Sequence, residues 1–336
     1  MNDELDPGRK YMVERKLTNM QEKIVETSIN MLKDCLGLKA GETFLIVSDD
    51  SRKELAESLY EAGKRIGAES MLTVIKERGK SGEEPPAPIA AAMAAAQVVV
   101  CITKHSLTHT QARKQAAAAG ARLATMPGIT ADMFLEGAIA ADYTEVKALT
   151  EKVTDMLSNS RKVRIEKDGH TLEFSIDGRD GVPSTGMYLE PGQSGNLPSG
   201  EAYIAPVEGS AEGTIVVDGS IAGVGKVEGP VVLTVEKGRL VAAEGGAEGG
   251  KLLQMLGEGD GRLLGEFGIG TNEKARITGV VLEDEKVYGT IHVAFGSNNT
   301  FGGVVAAGVH IDCVVGKPDV YLDGRLIMKN GELLDK

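Results

Sequence analysis

The hydrophobic pattern of the chain changes period near residue 160, and that change limits the folds open to it. Before it, apolar runs alternate with helical segments. Residues 18–37 place Met20, Ile24, Val25, Ile29, Met31, Leu32 and Leu36 near helical spacing, with Gly37 as the stop. A strand at Thr43–Val47 follows, then a helix over 52–66 opened by a Ser51–Glu54 capping box, then the strand SMLTVIK. Such a strand–helix–strand unit implies a parallel pair with a right-handed crossover. The almost continuously apolar run 98–103 reads as a strand buried on both faces. Helices are expected from about Thr108 to Ala119 and over 130–160. Residues 1–160 are therefore read as a small doubly wound parallel α/β domain. They carry no G-x-G-x-x-G after the first strand and no G-x-x-x-x-G-K-[ST] loop, so no dinucleotide or P-loop site is indicated.

From Arg161 the strands are short, alternate apolar with polar, and break at glycine turns. Hairpins are expected at Asp168-Gly169 and Asp323-Gly324, with one helix over 251–256. Residues 161–336 are read as a β-rich, mainly antiparallel α+β domain that carries the chemistry. The 43 glycines and the low aromatic fraction of 4% favour tight turns and strands over a helical bundle. A net charge of -12 argues against a nucleic-acid surface and suits a site that holds cations. The three cysteines, Cys35, Cys101 and Cys313, are far apart and odd in number, so neither a disulfide framework nor a zinc knuckle is indicated. The charged amino-terminal stretch has no apolar h-region, and no apolar run reaches membrane-span length. A cytoplasmic protein is the expectation.

Residues 265–315 hold two of the five histidines, His292 in TIHVAF and His310 in GVHIDCVV. His310 and Asp312 are two apart, so on a strand they leave the same face. Glu266 lies in the apolar, glycine-rich run LGEFGIGTN, where an unpaired charge would be expensive and a cation partner is the economical reading. Glu201 stands where a Gly/Pro-rich loop enters a strand, and Glu208 follows further along. Glu201, Glu266, His292, His310 and Asp312 together offer more carboxylate than a structural ion needs. They suit an open catalytic ion or two neighbouring ions. Hydrogen-bonded polar groups in a sheet are the blander alternative for the histidines, and solvated surface is the blander alternative for either Glu taken alone.

His105, His109 and Arg113 follow the buried strand 98–103, at the end of a parallel strand where ligands bind in open sheets. His109 and Arg113 are spaced i, i+4 and are candidates to hold a substrate carboxylate, against the reading of a solvated helix start. His170, in a hairpin turn, reads as surface. No G-x-S-x-G elbow supports a serine nucleophile.

The ordered motifs NLPSGEAYIAPVEGSAEGTIVVDG, LGEFGIGTNE, TIHVAFG and HID resemble the C-terminal half of the thermophilic metalloaminopeptidases of the aminopeptidase T and aminopeptidase S type, leucyl aminopeptidase-like enzymes. The likeness spans roughly residues 194–325. It implies two ions, zinc or cobalt, on Glu201, Glu266, His292, His310 and Asp312, and release of N-terminal residues from small peptides. Glu201 or Glu266 would bridge the ions or handle the proton, and the protein would be a homodimer. That family has a Tyr seven residues after its first His; here Asn299 stands there, able to hydrogen-bond a substrate but not acidic. The same motifs also resemble the 2,5-dihydroxypyridine dioxygenases, which hold one ferrous ion and cleave an aromatic ring. For these, His292, His310 and Asp312 would supply a two-His-one-carboxylate set. A metal-stabilised binding protein is a third, non-enzymatic reading. The motif order favours the aminopeptidase.

Overall fold

The computed structural model describes residues 7–334, with side chains from Thr18 onward. The side chains of the charged amino-terminal stretch read as lacking a leader therefore lie outside the described residues. Two compact units are present, and they are not two halves of the chain. One runs to Ala140 and takes in Gly186–Leu197; the other comprises Ala141–Thr185 and everything from Pro198.

The first unit is an α/β layer structure around a five-stranded parallel sheet. Its order is Glu69–Ile75, Thr43–Asp49, Val98–Ile102, Arg122–Thr125 and Ser194–Asn196. The central strand Val98–Ile102 is buried at every position, as a strand covered on both faces must be. On one face Leu45, Val47, Val99 and Cys101 pack with Met93, Ala112 and Ala116 from the helices Ala87–Ala95 and Gln111–Ala118. On the other, Phe44 lies against Gly63 of the helix Lys53–Ile66. The expected Ser51–Glu54 capping box does not form. A 3-10 turn, Asp50–Arg52, precedes that helix, and the Asp49 carboxylate accepts from the Ser51 N–H at 3.1 Å in its place.

The second unit is β-rich. One antiparallel sheet of eight strands includes Lys162–Lys167 and His170–Ser175, joined through Asp168 and Gly169 at positive φ of 48° and 81°. Those are the angles of the expected tight hairpin. The other sheet has seven strands in the order Gly225–Lys226, Ser220–Ile221, His310–Gly316, Thr290–Gly296, Leu264–Gly270, Glu201–Ile204 and Val182–Ser184. The two sheets share one apolar core. Val163, Ile165, Leu172 and Phe174 of the first pack with Ile204, Phe267, Ile269, Val293, Phe295, Ile311 and Cys313 of the second. Phe174 and Phe267 meet edge to face at 5.4 Å.

Because side chains alternate along a strand, that core determines what the reverse face of the seven-stranded sheet carries. Pairing places Glu266 beside Ala294 and Ala294 beside Asp312; His292 lies between Gly268 and Val314, and His310 opposite Gly296. Glu201 pairs with Gly270. The polar residues thus share one face, on neighbouring strands. A β-bulge between Leu264 and Glu266 shifts the register just before Glu266.

Gly296 has φ of 116°, and a Cβ there would lie 2.0 Å from the Val309 carbonyl oxygen. Gly296→Ala is expected to lower unfolding free energy by about 2 kcal/mol or more, through strain and a forced separation of the strands holding His292 and His310. Equilibrium urea unfolding checks this; an unchanged midpoint would refute it.

Candidate metal centre

Glu266, His310 and Asp312 each bring a donor atom to within 4.8 Å of the others. His310 Nε2 lies 3.4 Å from Glu266 Oε2 and 3.5 Å from Asp312 Oδ1. Glu266 and Asp312 reach toward each other across Ala294, whose small side chain leaves the space open. His310 Nδ1 is bonded to the Ser297 carbonyl at 2.8 Å, which orients Nε2 toward the carboxylates. His310 is partly exposed, with 30% of its side chain accessible, so the cluster is reachable from solvent.

His292 lies behind this group and is fully buried. Its Nε2 is 3.1 Å from Glu266 Oε1 and 3.5 Å from Glu201 Oε2. A Cβ on Gly268 would sit 2.1 Å from that same Nε2, so the imidazole occupies the place of a missing side chain on the neighbouring strand. Glu201 is not drawn into the three-donor group. Its Oε1 accepts from Lys286 Nζ at 2.6 Å, and Lys286, 1% exposed, also pairs with Glu285. Lys286 and Glu285 are the residues sequence reasoning missed. They lie in the charged run LEDEK, which carries no metal-ligand or catalytic motif.

Charge governs this site. Burial opposes protonation of both imidazoles, but the surrounding carboxylates win. His310 is pushed up to about 10, chiefly by Asp312 and Glu266, and His292 to about 9 by Glu266 and Glu201. Asp312 falls to about 2 against its own burial, held there by His310. Burial pushes Glu285 up to about 8, despite the pull of Lys286. Lys286 stays charged because Glu201 and Glu285 outweigh its burial. Three carboxylates, Glu201, Glu266 and Asp312, thus face three cationic groups, Lys286 and two imidazoliums. A divalent ion on Glu266, His310 and Asp312 would supply the same two charges that the imidazole protons supply without it. Two buried atoms beside the cluster, Glu201 Oε2 and His292 Nδ1, have no hydrogen-bond partner, which marks a polar site built for more than its own side chains. Two carboxylates and one imidazole fit a divalent first-row ion.

The other candidates lie elsewhere. Asn299 is exposed in the turn after Thr290–Gly296, its N–H donating to the Val305 carbonyl at 3.2 Å. Its neighbour Asn298 is fully buried, donating to Glu208 Oε1 at 3.1 Å and accepting from the Val305 N–H at 2.8 Å. Glu208 also pairs with Arg179 and accepts from the Val304 N–H at 2.9 Å. An aromatic ring does reach the cluster. Phe301 meets His310 edge to face at 6.1 Å, but it carries no hydroxyl. In the first unit, the helix starts at Gln111 with Thr110 as its cap, so His109 precedes the helix and does not share a helical face with Arg113. Arg113 is half-buried and donates to the Thr108 carbonyl at 2.8 Å and Ser194 Oγ at 2.7 Å. His105 lies 3.8 Å from Glu77, and His170 Nδ1 is 2.9 Å from Thr214 Oγ1.

Lys286→Met removes the buried cation that Glu201 and Glu285 share and is expected to cost about 3–5 kcal/mol in urea unfolding; a loss below about 1 kcal/mol would refute the pairing's role. A second expectation concerns pH. His310 keeps its proton in the metal-free protein up to about 10 and must release it to bind an ion. Apparent metal affinity should therefore rise with pH, by up to about tenfold per unit below that value for each proton displaced. Calorimetry in buffers of different ionisation enthalpy measures the release; binding with no proton released would refute it.

Comparison with known proteins corrects the expectation drawn from motif order. A 2,5-dihydroxypyridine 5,6-dioxygenase from Pseudomonas putida is 26% identical over 200 residues, covering 53% of this chain. The match takes in 56% of that protein, so the chain spans just over half the length of this curated relative. The solved 2,5-dihydroxypyridine dioxygenase from Pseudomonas putida KT2440 superposes with a TM-score of 0.79 at 18% identity, over 94% of this chain and 98% of the other. AmpT from Thermus thermophilus gives 0.69 at 18% identity, over 93% and 99%. These likenesses show a shared fold. The aminopeptidase assignment is overturned, and the small-peptide substrate falls with it. Two zinc or cobalt ions are likewise replaced by a single site. Among the described residues one three-donor group converges, that of Glu266, His310 and Asp312. The family model of NicX, 2,5-dihydroxypyridine 5,6-dioxygenase, matches residues 23–335, and the chain belongs to that family.

Proposed function

We propose that this protein is a ring-cleaving dioxygenase using one ferrous ion held by Glu266, His310 and Asp312, with 2,5-dihydroxypyridine or a closely similar hydroxylated heteroaromatic as substrate. The observation that carries the reading is the single convergent donor group on one sheet face, with Glu201 paired to Lys286 and set apart from it. Family membership over residues 23–335 supports the substrate class. A bound ferrous ion supplies the redox chemistry that joins dioxygen to an electron-rich ring.

The chain's own groups do the rest. Glu266 on Leu264–Gly270 and the pair His310 and Asp312 on His310–Gly316 flank the strand Thr290–Gly296 and would hold the ion there. His310, fixed by the Ser297 carbonyl, keeps one orientation. His292 Nε2 holds Glu266 Oε1 in place at 3.1 Å, acting as a positioning residue. Glu201 Oε2, without a hydrogen-bond donor of its own and 3.5 Å from His292 Nε2, is the atom we assign to accept a proton from the substrate side. Lys286 Nζ, 2.6 Å from Oε1, holds the Glu201 carboxylate in place for that role.

No helix among the described residues is long and apolar enough to cross a membrane. Three free, buried cysteines support a reducing, cytoplasmic setting for the reaction.

The test is anaerobic loading with Fe(II), metal analysis, and oxygen uptake with 2,5-dihydroxypyridine, with mass spectrometry of the product. About one iron per chain, oxygen consumption and a ring-opened product are expected, as one open site requires. His310→Ala and Asp312→Ala should each lose the iron while remaining folded. Two metal equivalents per chain, or no oxygen uptake by the iron-loaded protein, would overturn the reading.

A further inference from the structure

The metal cluster has an aromatic wall that the donor residues do not explain. Tyr203, Phe301 and His310 form a run of rings, each nearly perpendicular to the next. Tyr203 and Phe301 are 5.3 Å apart at 83°, and Phe301 and His310 are 6.1 Å apart at 86°. Tyr203 pairs with Gly268 in the sheet, on the same face as His292 and Glu266. Phe301 comes from the connection between the two histidine strands and is not part of the apolar core; it is only half-buried. In a chain with 4% aromatic residues, a ring spent at a partly exposed loop position beside a metal ligand calls for a reason.

The loop that carries Phe301 is held still. The Phe301 and Gly303 N–H groups donate to the Asn298 carbonyl at 3.2 and 3.0 Å. Val304 N–H and Asn298 Nδ2 both donate to Glu208 Oε1, and Glu208 is anchored by Arg179. A Cβ on Gly303 would fall 2.0 Å from the Asn298 side chain, so the loop closes directly on that amide. These contacts brace the backbone that carries the ring.

The geometry points to Phe301 as the residue that selects a planar aromatic substrate at this centre, with Tyr203 buttressing it. This rests on the proposed dioxygenase reading for the identity of the substrate, though not for the existence of the wall. Phe301 has no polar atom, so it neither ligates the ion nor moves a proton. It offers a π surface against which a flat ring packs while its oxygens face the donors. A chelating ligand without a ring gains nothing from it.

The test uses binding, not turnover. Fe(II)-loaded wild type, Phe301→Ala and Phe301→Tyr are titrated under nitrogen with 2,5-dihydroxypyridine, with catechol, and with glycolate, a chelator lacking a ring. Phe301→Ala should bind both ring ligands about tenfold more weakly, with glycolate affinity, iron content and Tm unchanged. Phe301→Tyr should restore ring binding. Equal weakening for all three ligands, or none, would overturn the assignment, as would wild type binding the ring ligands no more tightly than glycolate. A wild type that ignores 2,5-dihydroxypyridine but binds catechol with the same dependence on Phe301 would overturn the proposed substrate and uphold the wall.

Discussion

The site depends on one electrostatic constraint: carboxylates buried on one face of a sheet require cations. Glu201, Glu266 and Asp312 are each less than a tenth exposed, and isolated charges at such positions would cost several kcal/mol apiece. The protein answers in two ways. Lys286 is a permanent cation, pinned between Glu201 and Glu285. The two imidazoles are conditional ones, protonated without an ion and able to yield their protons to it. This division separates a fixed part of the network from an exchangeable part.

The scaffold makes that face possible. The alternate residues of the same strands, Phe267, Ile269, Val293, Phe295, Ile311 and Cys313, are locked into the core shared by the two sheets. A register slip of one residue would exchange that core for the acidic face, so hydrophobic packing holds the donors in place more firmly than their own contacts do. Room for the polar side chains comes from small residues on the same face. Ala294 opens the gap between Glu266 and Asp312, and Gly268 makes way for the His292 ring. The glycine richness that first marked this stretch is thus partly a packing requirement of the site.

Much of this was legible in the residues. The change of period near residue 160 separated parallel α/β from antiparallel β texture, and the Asp-Gly turns placed two hairpins, because both signals are local. The H-x-D spacing put His310 and Asp312 on one face, since strand geometry has a fixed period. Other features were not legible for equally physical reasons. The segment Gly186–Leu197 returns to the first unit, and Ser194–Asn196 becomes its fifth parallel strand. A strand of three residues with little apolar content carries no local signal. Asn299 stood where motif spacing placed a functional group, but the loop directs Asn298 inward and Phe301 to the cluster. Motif order pointed to the aminopeptidases because a shared fold does not by itself determine the reaction.

By itself the sequence determined fold class, strand alternation and the identity of the ionisable groups, all properties of residue type and local period. Tertiary structure decided which of those groups meet. It buried Lys286 from a run of charged residues, gave it Glu201, and brought Glu266, His310 and Asp312 together. Ionic pairing depends on distances between strands far apart in the chain, and such distances come into being only when the sheet is assembled and its other face is packed.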